Sequence, residues 1–180
     1  MIISFVGTPL GGKTSYAETY SGERQLSYFS SGRYAREIGM TEEDKRSIAT
    51  TDLAESVEDK IRDVVKDYVK IARGRDVIFD GFPRHLSQVQ YLEMLCYRHN
   101  VEWLMVYIYV NPVRMFQRME GRNRDENDSQ DMLAGRARSA TVFYSELKQH
   151  YPDRFLFFES EVEDEQALYR SLDEIRESIK

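Results

Sequence analysis

Apolar residues gather in short runs at 1–6, 26–29, 76–80, 103–110 and 154–158, and each run is bounded by polar or turn-forming residues. The runs at 1–6 (MIISFV) and 103–110 (WLMVYIYV) are nearly unbroken, as expected of strands covered on both faces. Between them the apolar spacing changes to steps of three and four. Leu53, Val57, Ile61, Val64, Val65, Tyr68, Val69 and Ala72 form one apolar face of a helix that opens at Thr51-Asp52 and closes at Gly74. Ala167, Leu168, Leu172, Ile175 and Ile179 do the same for a closing helix over 163–179. Further helices are predicted at 13–20, 33–38, 87–100, 112–121 and 130–149, and Thr41 can cap a helix start at 41–44. Ser21-Gly22, Gly39 and Pro152 act as breaks, Asn111-Pro112 as a cap followed by a first helical position, and Ser87 as a further cap. Strand and helix alternate throughout, which predicts an α/β fold: five parallel strands between two helical layers, joined by right-handed crossovers. Such sheets bind ligands beyond the carboxyl ends of their strands.

The first strand runs directly into Gly7-Thr8-Pro9-Leu10-Gly11-Gly12-Lys13-Thr14, with Ser15 continuing into helix. The spacing is that of a phosphate-binding P-loop, and its strand-before, helix-after setting sets it apart from a glycine-rich turn with a solvated lysine. Gly7, Gly11 and Gly12 permit backbone angles that turn N–H groups inward as an anion nest. The helix that follows adds the positive end of its dipole. Lys13 offers an ammonium to terminal phosphates and Thr14 a hydroxyl to Mg²⁺.

Composition narrows the reading. The chain has 180 residues, 41% hydrophobic and 31% charged, with a net charge of -6. That suits one folding unit with a substantial core, and argues against general binding to a nucleic-acid backbone. Cys96 is the single cysteine, so neither an internal disulfide nor a thiolate zinc site can form. His85, His99 and His150 have no ligand spacing. No basic segment precedes the first apolar run and no run reaches about 18 residues. A cytoplasmic protein, without membrane or nucleic-acid partners, is expected.

A second motif follows the third strand: Asp80-Gly81-Phe82-Pro83-Arg84. A strand-terminal acid can orient water on Mg²⁺, and an arginine four residues on can reach a phosphate. With the P-loop, this stretch makes the chain resemble the nucleoside monophosphate kinases, adenylate kinase in particular. Ser30-Ser31-Gly32-Arg33-Tyr34-Ala35-Arg36 is similar to that family's S-T-G-D-x-L-R segment, and Arg118, Arg122, Arg124 and Arg136 are similar to its arginines around the lid.

The resemblance implies a P-loop kinase domain over 1–180, with a core of 1–30, 73–120 and 130–180, a monophosphate-binding insertion at about 31–72 and a short lid at about 121–129. It implies ATP as donor and AMP as acceptor, with Mg²⁺ as cofactor and a monomer as the working form. On the donor side it implies Gly7, Pro9, Gly11, Gly12, Lys13, Thr14 and Ser15 at the phosphates, with Arg118 and Val162 at the adenine. On the acceptor side it implies Ser31, Arg36, Gly81, Arg84 and Gln88, the last reading the base through its amide. Lys13, Arg84, Arg122, Arg124 and Arg136 would surround the transferred group. Thr14 would hold Mg²⁺ directly and Asp80 through water. Departures from the family pattern are Lys13-Thr14-Ser15 for its K-G-T, Arg33 for its aspartate, Ser31 for its threonine and a shortened 36–52 segment. The loop 159–162 also lacks the glycine that packs on the donor base. A kinase for another (deoxy)nucleotide, and a nucleotide-binding protein without transfer activity, are the alternatives.

Overall fold

The computed structural model describes residues 1–38, 55–120, 130–160 and 162–179. The strands are β1 (Ile2–Gly7), β2 (Ser27–Ser30), β3 (Val77–Asp80), β4 (Trp103–Tyr109) and β5 (Phe155–Glu159). The described helices are α1 (Lys13–Glu23), α2 (Ser31–Glu37), α3 (Glu55–Ile71), α4 (Leu86–His99), α5 (Pro112–Glu120), α6 (Gln130–His150) and α7 (Glu165–Ser178). The helix expected from Thr41, the residues expected to open α3 at 51–54 and the lid at 121–129 lie outside the described residues.

All strand pairs are parallel, in the order β2-β3-β1-β4-β5. The five-stranded parallel sheet and its flanking helices are those the alternation predicts. Period-two geometry divides the core between the faces. Ile2, Val6, Val77, Phe79, Met105 and Tyr107 pack with residues of α3, α4 and α6. Ile3, Phe5, Ile78, Val106 and Ile108 pack with Ala17 and Tyr20 of α1 and with Leu168, Tyr169 and Leu172 of α7. β1 lies between β3 and β4 but connects to β2, so its carboxyl end opens on a crevice between its two neighbours.

Several element ends differ from the expected ones. α1 runs on through Ser21-Gly22 to Glu23; Ser21 is buried there and its hydroxyl donates to the Glu18 carbonyl at 3.1 Å. It stops at Arg24, and Gln25 turns the chain at a φ of 54°. α2 begins two residues before Arg33, capped by Ser30, whose Oγ accepts from the Arg33 N–H. Ser87 is not a cap: α4 begins at Leu86 after His85, and the Ser87 hydroxyl bonds His85 Nδ1 at 2.8 Å. Asp164, rather than Glu163, precedes α7 and caps it through the Gln166 N–H.

Candidate active site

The loop after β1 requires its glycines. Gly7 has a φ of 123°, and a Cβ there would lie 2.1 Å from the carbonyl oxygen of Ile108 on the neighbouring strand. Gly12 has a φ of 89° and precedes α1 without any side-chain cap. The first-turn N–H groups of α1 thus have no capping side chain, as an anion site requires. Thr8 pins the loop to β4: its Oγ1 donates to Ile108 O at 3.3 Å and accepts from Val110 N at 2.9 Å. Lys13 curls over the loop, its Nζ donating to Gly7 O at 3.1 Å and to Thr8 O at 2.5 Å. Thr14 and Ser15 are exposed on the first turn of α1.

β3 ends beside this loop and supplies Asp80, which is only 4% exposed. Asp80 Oδ2 accepts from Thr14 Oγ1 at 2.9 Å, Ser30 Oγ at 2.9 Å and Tyr28 OH at 3.1 Å. Among the described residues no hydrogen bond reaches Oδ1. A threonine hydroxyl beside a carboxylate is a hard oxygen pair of the kind Mg²⁺ accepts when it keeps several waters. No group of three or more His, Cys, Asp or Glu that could hold a metal occurs among the described residues. The pair by itself leaves most of a cation's positions to water and phosphate.

Gly81, with a φ of 74°, turns the chain from Asp80 toward Arg84 after a cis Phe82–Pro83 bond. Arg84 Nε donates to Gly81 O at 2.7 Å and its Nη2 to Ser31 Oγ at 3.4 Å, while Ser31 Oγ donates to Gly81 O at 2.8 Å. Arg36 reaches the same place: a Cβ on Gly32 would lie 3.6 Å from Arg36 Nη1 and 3.7 Å from Arg84 Nη2. Arg84 is open to the cleft yet surrounded by protein. The resulting desolvation, and then the charges of Arg136 and Arg36, hold its pKa below the ordinary guanidinium value against the opposing pull of Asp80. Arg84 thus stands under the repulsion of two other guanidinium charges, which a bound anion would relieve.

Gln88 is 1% exposed and projects from the first turn of α4, as its spacing from Arg84 predicts. Its Oε1, however, already accepts from the Arg84 backbone N–H at 2.8 Å. The same amide that is expected to read a base therefore also fixes the turn that carries Arg84.

On the other side of the P-loop a cavity of about 390 Å³ is lined by Leu10, Gly12, Ser15, Tyr16, Arg118, Ser160 and Glu165. Arg118 donates to Leu10 O at 2.5 Å and to Ser160 Oγ at 3.3 Å, and Tyr16 shares a hydrogen bond with Ser160 Oγ at 3.1 Å. Val162 is not among its lining residues and is 72% exposed; Ser160, two positions earlier, stands there instead. Arg122 and Arg124 lie outside the described residues. Thr8, Tyr16, Tyr28, Ser30 and Ser160 were not identified from sequence. Tyr28 lies within a strand and reads as core, Thr8 and Ser30 stand inside the P-loop and the Ser30–Arg36 segment at positions given no role there, and nothing local marks Tyr16 or Ser160.

A family model described as an AAA domain matches residues 6–134, a span from the P-loop through α2, β3, β4 and α5 into α6. The chain belongs to that family. In this AAA-domain chain the matched span contains Lys13, Thr14, Arg36, Asp80, Arg84, Gln88 and Arg118, and stops just before Arg136. Among solved structures the fold is similar to that of a protein described as a "putative kinase" from Chloroflexus aurantiacus, with a TM-score of 0.69 and 96% of each chain covered. Identity to it is 13%, so the likeness is one of fold. Nothing matches among curated proteins. No described helix is long and apolar enough to cross a membrane.

Proposed function

We propose that this protein is a nucleoside monophosphate kinase that passes the γ-phosphoryl group of ATP to AMP, giving two ADP. The observation that carries the reading is Arg84, bound to the turn that follows Asp80, with Arg36 beside it and the charges of Arg136 and Arg36 acting on it. A P-loop alone needs positive charge only on the donor. Arginines on the far side of the transferred group are what a second phosphate requires, and they argue against a protein that binds nucleotide without transfer.

In this reading the P-loop amides and Lys13 grip the donor β- and γ-phosphates. Lys13 exchanges its bonds to the Gly7 and Thr8 carbonyls for phosphate oxygens. Arg36 and Arg84 hold the acceptor phosphate. One of its oxygens forms a bond to the γ-phosphorus while the bond from that phosphorus to the bridging oxygen of the departing ADP breaks. The acceptor oxygen is already anionic, so no general base is needed. Arg84 and Arg136 follow the charge as it moves. Thr14 and Asp80 would hold Mg²⁺, which when bound neutralises charge on the donor phosphates. Arg118 and the cavity beside it receive the donor base. Arg122 and Arg124 would complete the clamp from the lid.

A second reading, transfer to another (deoxy)nucleoside monophosphate, draws on the bond from Arg84 N–H to Gln88 Oε1, which occupies part of the amide's capacity to read adenine. A coupled assay of ADP release across AMP, dAMP, CMP, UMP, GMP and dTMP separates the readings. AMP is expected to be the preferred acceptor. Preference for another acceptor would establish the second reading, and ATP binding without turnover on any acceptor would refute both.

A further inference from the structure

Asp80 receives one hydroxyl more than the Mg²⁺ reading needs. Thr14 belongs to the P-loop and Ser30 caps α2, but Tyr28 has no other evident task in the site. Its position is strongly determined. β2 pairs with β3 so that Tyr28 lies against Ile78 and Ser30 against Asp80. Tyr68 OH donates to the Tyr28 carbonyl at 3.2 Å, and the Arg33 guanidinium lies over the Tyr28 ring at 5.6 Å. Arg33 is itself ion-paired with Glu18 on α1. The Tyr28 hydroxyl is the donor in its 3.1 Å bond to Asp80 Oδ2, since a carboxylate oxygen accepts.

We propose that Tyr28 is a positioning residue for the divalent cation: with Ser30 it holds Asp80 Oδ2, leaving Oδ1 turned toward the water shell of a metal on the donor phosphates. The proposal rests on the kinase reading of the P-loop. A carboxylate oxygen that accepts several hydrogen bonds cannot rotate freely, and its partner oxygen then has one direction left to serve. The Ser30 hydroxyl that donates to Asp80 also accepts the Arg33 N–H at the start of α2, the helix that carries Arg36. Fixing Asp80 thus also fixes the helix that holds the acceptor arginine.

Tyr28→Phe keeps the ring and its packing and removes only the donor. Mn²⁺ binding to the full chain with ATP bound, followed by electron paramagnetic resonance, is expected to weaken by about five- to tenfold, the usual effect of losing a hydrogen bond to a charged group. ATP affinity measured in EDTA should change by less than about twofold, and saturating Mg²⁺ should restore most of kcat, because in this proposal Tyr28 acts only through Asp80. Equal Mn²⁺ affinity in a folded Tyr28→Phe protein would overturn the proposal while leaving the kinase reading intact. Failure of the unaltered protein to bind Mn²⁺ with ATP would overturn both. Should Tyr28→Phe fail to fold, 3-fluorotyrosine placed at position 28 alone decides: a ¹⁹F shift on adding Mg²⁺ to the ATP complex supports the role, and an unmoved resonance refutes it.

Discussion

Lys13 spends two of its three donors on loop carbonyls, and the loop around it is fixed by glycine geometry and by Thr8. Lys13→Ala should therefore leave the fold in place. It should lower phosphoryl transfer by about 10²–10³, the result of losing about 3–4 kcal/mol of transition-state stabilisation. Turnover beside a thermal melt checks this, and near-normal turnover by the folded variant would refute the proposed reaction. In the proposed reaction Gln88 would carry two roles through one amide. Its carbonyl oxygen has two lone pairs, one of which takes the Arg84 N–H. The other lone pair and the NH₂ remain for a base. Gln88→Ala is expected to lower stability by about 1–2 kcal/mol, by leaving the Arg84 N–H without its acceptor. It should also lower the preference for AMP over UMP by about five- to a hundredfold. Urea unfolding and relative kcat/KM values test the two effects separately. A stability loss with an unchanged AMP-to-UMP ratio would assign Gln88 to Arg84 alone.

At the scale of elements, what could be read in the sequence is what local chemistry decides. Asn111-Pro112 marks the start of α5, and the structure gives the reason: Asn111 Oδ1 accepts the Arg114 N–H at 3.0 Å. Asn111→Ala should cost about 1 kcal/mol in urea unfolding, and a loss near zero would show that Pro112 suffices. Ser87 looked like a cap of the same kind, but the turn from Asp80 brings the chain into helix at Leu86, and a serine already inside the first turn has nothing to cap. β1, β3 and β4 were legible because burial on both faces leaves unbroken apolar runs. The P-loop was legible because its glycines are forced by close backbone approach, as at Gly7 against Ile108. Tyr28 was not, since a tyrosine in a short strand reads as packing, and only the register of β2 on β3 brings its hydroxyl to Asp80. Ser160 was missed for a related reason: which residue of the turn after β5 lines the Arg118 cavity depends on how the chain leaves that turn for α7.

Across the whole molecule, the rim opposite the candidate site is tied together by charge. Asp173 on α7 accepts from Arg24 Nε at 2.8 Å and Nη2 at 2.6 Å, from Arg176 Nη1 at 3.0 Å and from Tyr20 OH at 2.9 Å. Arg176 in turn donates to Asp76, just before β3, at 2.8 Å. The network joins α1, α7 and the entrance to β3, and so fixes the far end of the helix whose first turn forms the P-loop. The hydrogen bonds from Arg24, against the opposing effect of burial and with help from Tyr20, lower the Asp173 pKa below the ordinary carboxylate value. At Asp76 burial acts the other way, but the Met1 amino group and Arg176 outweigh it, and its pKa is lowered too. A folded-state pKa below the unfolded one means stability that is fully present above the unfolded value of about 3.9 and is lost as pH falls through the folded value. Asp173→Asn should therefore cost about 1–2 kcal/mol at pH 7, the lower part of the range for a broken pair because Asp173 is partly open to solvent. The cost should shrink at pH values below about 3.9, where the wild-type carboxylate itself takes up a proton. Urea unfolding of wild type and variant at neutral and acid pH measures both gaps. A gap that stays constant with pH would show that Asp173 acts through packing and neutral hydrogen bonds. The converging arginines would then be holding the α1–α7 corner by their shape and not by their charge.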